Sequence, residues 1–324
     1  MKQAVRLRPG REKAIKNRHH WIFSGAIASS PSFTDGDLLP VESHEGEFLG
    51  IGYFNSQSTI RGRMITFDQQ DPIDAIANNM TRAYQLRQKL IGRDTNAYRL
   101  IHGEGDFLPG LVVDLYGDVA VLQVATKGME KLAPVVIAQL KKMLPLRAIY
   151  EKSNLPSRKD EGLPPCTKLH EATIEEPLLI TEKGHKFAIS IPTGQKTGFF
   201  LDQRENRERI LELAKDKRVL NCFCYNGGFT VYALAGGATL VDSVDLSEPA
   251  LQLAEESLRL NNQKGKLIAA DVFTYLRENP IDYDLVILDP PAFAKRKSDQ
   301  VAACRGYKHI NRIAMQKMPK GSFL

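Results

Sequence analysis

The sequence predicts an α/β protein: a β-rich module at the N-terminus, a middle α+β segment, and a C-terminal open sheet of parallel strands. Three observations predict it. Residues 1–70 carry short strand-like runs, GDLLPVES, FLGIGYFN and IRGRMITF, separated by Gly, Asp and Asn. The next hundred residues mix helical and strand periods. Beyond about residue 185 the rhythm becomes strand, turn, helix, strand, as in a parallel sheet.

A helix is expected over 75–92, and GLVVDLYGDVAVLQVAT reads as a hairpin around Tyr116-Gly117-Asp118. A second helix follows from about Met129 to Met143, then the strand RAIYEKS. KDEGLPPCTKL is rich in Pro and charge and reads as a loop. In the parallel sheet RVLNCFC is the first strand, and FTVYALA is a helix closed by Gly236-Gly237. LVDSVDLS is the second strand, after which Ser247 caps a helix with Pro249 in its first turn. KLIAAD and DLVILD are the third and fourth strands. The four strands end near Cys224, Asp245, Asp271 and Asp289.

The chain has 324 residues, enough for two or three domains. Net charge is +6, and the basic residues cluster. Residues 1–18 hold seven Lys/Arg against Glu12 alone, and residues 293–320 hold eight against Asp299 alone. Two such patches read either as solvated surface or as contacts to a polyanion. No apolar run approaches the roughly 18 residues of a membrane span, and no apolar segment follows the charged N-terminus as in a signal peptide. The four cysteines, Cys166, Cys222, Cys224 and Cys304, form no CxxC pair, so neither a zinc site nor a disulfide framework is expected. A cytoplasmic location is expected.

Ligands of open α/β sheets bind outside the carboxyl ends of the strands, and three of these four ends carry an aspartate. The first turn, CYNGGFT, lacks GxGxxG, which argues against a nicotinamide dehydrogenase. Gly227-Gly228 still admits close backbone approach. Asp245, 17 residues after Gly228, suits ribose hydroxyls, and Asp271 suits an adenine amino group; both also read as helix caps. A nucleoside without phosphates fits best, and S-adenosylmethionine is the common one. The fourth strand ends in Asp289-Pro290-Pro291, with Phe293 two positions on. Prolines fix φ and donate nothing, so this is a stiff, acceptor-only corner.

The stretches RLRPGREKAIKNRHHWIFSGAI, RLIHGEGDFLPGLVVDLYG, GQKTGFFLDQRENR, RVLNCFCYNGGFTVYAL, DPPAF and ACRGYKHINRIAM resemble the bacterial 23S ribosomal RNA cytosine-5 methyltransferase family of the large-subunit methyltransferase I type. The resemblance implies a PUA RNA-binding domain over 1–72, a central α+β domain over 73–186 and a Rossmann-like methyltransferase domain over 187–324. It implies S-adenosylmethionine as cofactor, 23S ribosomal RNA as partner, and no membrane; a homodimer is a further expectation. Cofactor contacts are then expected at Asn221, Tyr225, Gly227, Gly228, Asp245, Asp271, Lys196 and Thr197. RNA contacts are expected at Arg6, Arg8, Arg11, Lys13, Lys295, Arg296, Lys297 and Arg305. Trp21 and Phe23 are read as core, with a base-stacking surface as the alternative. Lys196 and Arg204 are read as reaching RNA phosphate or a cofactor carboxylate, against the plainer reading of a Gly-rich connection.

On this resemblance the proline corner holds a flipped base: Asp289 and the Pro290 carbonyl accept from its amino group, and Phe293 stacks on its ring. Methylation at C5 also needs a thiolate to add at C6. The resemblance implies a Ser-Cys-Ser stretch on the next strand, whereas this sequence stops at MPKGSFL. The nucleophile is therefore expected beyond Leu324, and the chain is read as truncated and inactive at C5. Cys304 has basic neighbours but lies on a predicted helix; Cys222 and Cys224 are read as core. His309 stands where an Asp is expected. Methylation of a guanine nitrogen, which needs no cysteine, and a non-catalytic RNA-binding fragment are the competing readings.

Overall fold

The computed structural model describes residues 4–171, 173–294 and 297–324. Two compact units divide the chain, Met1–Ile174 and Glu175–Leu324.

The first unit opens with β1 (Val5–Leu7), α1 (Glu12–Lys16), β2 (Trp21–Phe23), β3 (Ile27–Ser29), β4 (Leu38–Glu42), β5 (Phe48–Phe54) and β6 (Ile60–Met64). They form one sheet in the order β2-β6-β5-β4-β1-β3. Val5, Leu7, Ile22, Val41, Phe54 and Met64 fill its core. β2 corrects an expectation. Side chains alternate across a strand, and Ile22 takes the inner face at 1% exposure. Trp21 and Phe23 therefore point out, 37% and 48% exposed, and are not core.

The same unit continues with α2 (Pro72–Leu90), β7 (Ala97–His102), β8 (Leu111–Tyr116), β9 (Val119–Val124), α3 (Lys127–Met143), β10 (Ala148–Ser153) and β11 (Cys166–Glu171). The sheet order is β11-β10-β9-β8-β7. Asp71 caps α2 through the Ile73 amide at 2.8 Å, and Thr126 caps α3 through that of Met129 at 3.3 Å. β11 is the second correction. The expected loop ends at Pro165, and Cys166 onward pairs antiparallel with β10 at the sheet edge. An edge strand made of CTKLHE has little apolar alternation to betray it.

The second unit begins with the hairpin β12 (Leu178–Glu182) and β13 (His185–Ile189) and the helix α4 (Arg204–Leu213). Then come β14 (Arg218–Cys222), α5 (Gly228–Ala235), β15 (Leu240–Asp245), α6 (Glu248–Leu260), β16 (Lys266–Ala269), α7 (Val272–Glu278), β17 (Leu285–Leu288) and α8 (Gln300–Lys317). The strands are parallel in the order β16-β15-β14-β17, so the direction of winding reverses beside β14. That reversal opens a crevice at the carboxyl ends. Phe323 adds a parallel bridge to Leu285.

Glu182 ties this unit together. Its carboxylate is fully buried and accepts from Arg207 Nε at 2.7 Å, Arg207 Nη2 at 2.8 Å, Arg204 Nε at 3.2 Å and the Tyr232 hydroxyl at 3.1 Å. The cluster joins the hairpin, α4 and α5. Removing one partner of a buried ion pair costs about 3–5 kcal/mol, because the remaining charge stays buried. Glu182→Gln is expected to lower stability by about that much in urea unfolding. A loss within about 0.5 kcal/mol, the range of ordinary surface substitutions, would mean that the cluster carries no such weight.

Candidate functional site

The turn after β14 is the first element of the site. Phe223, Tyr225 and Gly227 all have positive φ, at 59°, 50° and 79°. For the two side-chain-bearing residues this costs on the order of 1–3 kcal/mol each. Asp245, at the end of β15, holds the turn in place: its Oδ2 accepts from the Tyr225 amide at 2.8 Å and its Oδ1 from the Ser247 amide at 2.9 Å. Ser247 itself caps α6, so Asp245 is not the helix cap. Space as well as φ favours glycine at 227. A Cβ there would sit 3.1 Å from that of Ala254.

Tyr225 also fastens the loop before α4. Its hydroxyl accepts from the Gln195 amide at 2.9 Å and donates to the Gly198 carbonyl at 3.2 Å. This sets Gln195, Lys196, Phe199 and Phe200 along a cavity of about 510 Å3 at the carboxyl ends of the strands. Tyr225, Gly228, Asp245, Asp271, Asp289 and Pro290 line the same cavity, with Lys196. Sequence reasoning placed these seven, and the structure brings them together. Asp271 serves in part as a cap, its Oδ1 accepting from Thr274 N at 2.9 Å.

Others lie elsewhere. Thr197 and Asn221 are fully buried and do not line the cavity, nor does Gly227. Asn221 supports the turn from within, donating to Thr230 Oγ1 at 2.9 Å. Phe293 is not in the cavity wall. Its ring lies 4.5 Å from that of Tyr307 on α8, whose hydroxyl accepts from the Phe293 amide at 3.2 Å. Arg204 turns inward to Glu182 rather than outward to a phosphate. Lys196 donates to both oxygens of Asp202, at 3.0 and 2.8 Å, and lies 4.5 Å from the centre of the Phe200 ring. His309, on α8, stacks its ring on Phe273.

Arg207 was not anticipated. It lines the cavity while bound to Glu182, and its guanidinium lies over the Phe199 ring at 4.5 Å. Its spacing of three from Arg204 puts both on one face of α4, the only signal the sequence offered. Asp289 stands at the corner after β17. Its surroundings push its carboxyl above the usual range by desolvation, and Asp202 adds repulsion, against the pull of Lys196 and Arg207.

Among the RNA candidates, Arg6 is exposed and pairs with Glu42 at 3.2 Å, and Arg8 donates to the Ile27 carbonyl at 3.1 Å. Arg11, Lys13 and Arg305 are exposed. Lys295, Arg296 and the side chain of Lys297 lie outside the described residues.

The cavity is rich in acceptors. Three carboxylates face it, with no glycine-rich phosphate cradle. Such a lining fits a ligand that brings hydroxyl and amino donors and a positive charge, as S-adenosylmethionine does. Fold and site together define an S-adenosylmethionine-dependent methyltransferase, and the model of the family so described matches residues 158–324. A PUA-like domain model matches residues 5–67. The ribosomal RNA large subunit methyltransferase I of Shewanella frigidimarina is 42% identical over 332 residues, covering 99% of this chain and 84% of that protein. The protein of the same name from Aliivibrio fischeri is 42% identical over 335 residues, covering 100% of this chain and 85% of that one. A crystal structure titled as a methyltransferase complexed with SAH has a TM-score of 0.81 at 25% identity, covering 99% of this chain and 84% of that one. The chain belongs to the ribosomal RNA large subunit methyltransferase I family.

The cysteines divide by burial. Cys222 and Cys224 are buried, and burial pushes the Cys222 thiol up to about 12 and that of Cys224 higher still. Cys166 is also raised, by burial and by Glu151, whereas Cys304 is exposed. A raised pKa means less thiolate at neutral pH. In native protein at neutral pH, iodoacetamide is expected to label Cys304 first, and Cys222 and Cys224 only after unfolding. Rapid labelling of Cys224 in the native state would contradict its burial.

Proposed function

We propose that this chain methylates C5 of a cytosine in 23S ribosomal RNA, with S-adenosylmethionine as donor and the target base flipped from its helix. The work is divided among 1–72 and 73–186, which bind RNA and support it, and 187–324, which carries the chemistry. The cytoplasm is the expected place of action. One observation carries the reading: Asp289-Pro290 and Asp245 line the same cavity. A cofactor whose ribose hydroxyls meet Asp245 and a base whose amino group meets the stiff acceptor corner would share one enclosure. Phe293 then serves by bracing the corner through Tyr307.

The ribose assignment is tested by calorimetry on Asp245→Ala. Loss of a charge-assisted hydrogen bond costs about 1.5–3 kcal/mol, or about 10- to 150-fold in affinity. Unchanged affinity would remove Asp245 from the ribose site.

Methylation of a guanine nitrogen, which needs no cysteine, is the second reading, favoured by the burial of Cys222 and Cys224. Transfer of tritium from labelled S-adenosylmethionine to unmodified 23S ribosomal RNA, with the product mapped, separates the two. Cytosine product is expected. Cytosine product abolished in Cys304→Ala would place the attacking thiol at Cys304. Guanine product would establish the second reading.

A further inference from the structure

The first unit holds a second, larger cavity of about 680 Å3, apart from the site described above. Residues of β2 and β6 line it, as do residues of β8 and β9, so it draws on both sheets of the unit. Trp21 and Arg63 are direct cross-strand partners on β2 and β6, and both line it.

Arg63 is only 8% exposed. Its Nη1 donates to Glu161 at 2.8 Å, while its Nε and Nη2 have no partner among the described residues. Glu161 accepts from Arg63, from Asn55 Nδ2 at 2.8 Å and from the Lys127 amide at 3.3 Å. A buried guanidinium thus keeps unspent donors beside a cavity it lines. Glu104 supplies the opposite character. Its Oε1 accepts from Trp21 Nε1 at 2.7 Å, and its Oε2 has no partner among the described residues. The same bond fixes the plane of the indole, which His19 and Phe23 also meet edge-on.

The charges of the lining nearly cancel: Arg63 against Glu161, and Lys159 beside Asp160. A phosphate gains little in such a place. A neutral planar group with a carbonyl acceptor for Arg63, an N–H donor for Glu104 and a face for the indole gains from all three. Guanine, cytosine and uracil offer that combination; adenine has no carbonyl, only ring-nitrogen acceptors set back from the base edge.

We propose that this cavity takes one unpaired nucleobase of single-stranded RNA, distinct from the base that is methylated, stacked on Trp21 and read on its edge by Arg63 and Glu104. The proposal rests on the reading of RNA as substrate. Recognition of this kind is how proteins read single-stranded RNA in general.

Trp21 is the single tryptophan of the chain, so its emission reports on this place alone. The test titrates hexamers of uridylate and of adenylate into the full chain, following Trp21 emission and, in parallel, RNA retention on filters. Saturable quenching by the uridylate hexamer is expected, with at least about tenfold weaker apparent affinity for adenylate, the loss of one hydrogen bond to a charged group. Adenine stacks well, so the predicted order is opposite to what stacking alone gives. Glu104→Gln keeps an acceptor for Trp21 and is expected to weaken uridylate binding about tenfold. Arg63→Lys keeps the charge opposite Glu161 and is expected to erase the discrimination against adenylate, with thermal melting as the check on folding. Retention of RNA without any change in Trp21 emission would overturn the proposal and leave the RNA reading standing. Quenching that ignores base identity and both variants would also overturn it. Absence of retention for any RNA, 23S ribosomal RNA included, would bring down the RNA reading and this proposal with it.

Discussion

A carboxylate with no access to water, Glu182, sets the frame on which the cofactor half depends. An ionised group in that position is tolerable only because three guanidinium donors and a phenol converge on it. The convergence has a geometric result. Arg207 cannot move without uncovering a buried charge, so the wall of the cavity that it forms is fixed, and Phe199 and the Phe200 carbonyl are fixed with it. Burial, reinforced by the same carboxylate, drives the Tyr232 hydroxyl far above the ordinary phenol range. That phenol stays protonated and remains a donor.

Asp245 plays the corresponding part elsewhere in the lining of the same cavity. It spends two hydrogen bonds on backbone amides, one of them in a turn that two bulky residues enter with positive φ. Strain of this kind persists only where the surroundings over-determine it. The Tyr225 hydroxyl passes the constraint on to the loop bearing Gln195 and Lys196. First strand, second strand and loop therefore share one chain of contacts running through a single carboxylate and a single phenol.

Much of this was legible in the residues. Strand ends, aspartates and the proline corner are local patterns, and local patterns survive folding. Ser247 and Pro249 marked the start of α6 for the same reason. What escaped was long-range or against the local signal. The pairing of Glu182 with Arg207 spans 25 residues and has no signature in either neighbourhood. Nothing in CFCYN announces left-handed backbone at Phe223 and Tyr225, since neither is Gly or Asn. Trp21 and Phe23 looked like core because they are large and apolar. The parity of a three-residue strand decided otherwise once Ile22 took the inside. Phe293 was assigned to a ligand face, and a helix that begins seven residues later claimed it instead.

The three carboxylates around one cavity also bear on how the enzyme lets go. S-adenosylmethionine carries a sulfonium charge, and transfer of its methyl group leaves a neutral thioether. Lys196 is matched by Asp202 and Arg207 by Glu182, so neither offsets Asp245, Asp271 and Asp289 fully. On the proposed placement, the field of those carboxylates favours the charged donor and loses its grip once the charge has left. On that placement the same acidic lining that gathers the reactant would also help clear the spent product, each turnover loosening the hold on what it leaves behind.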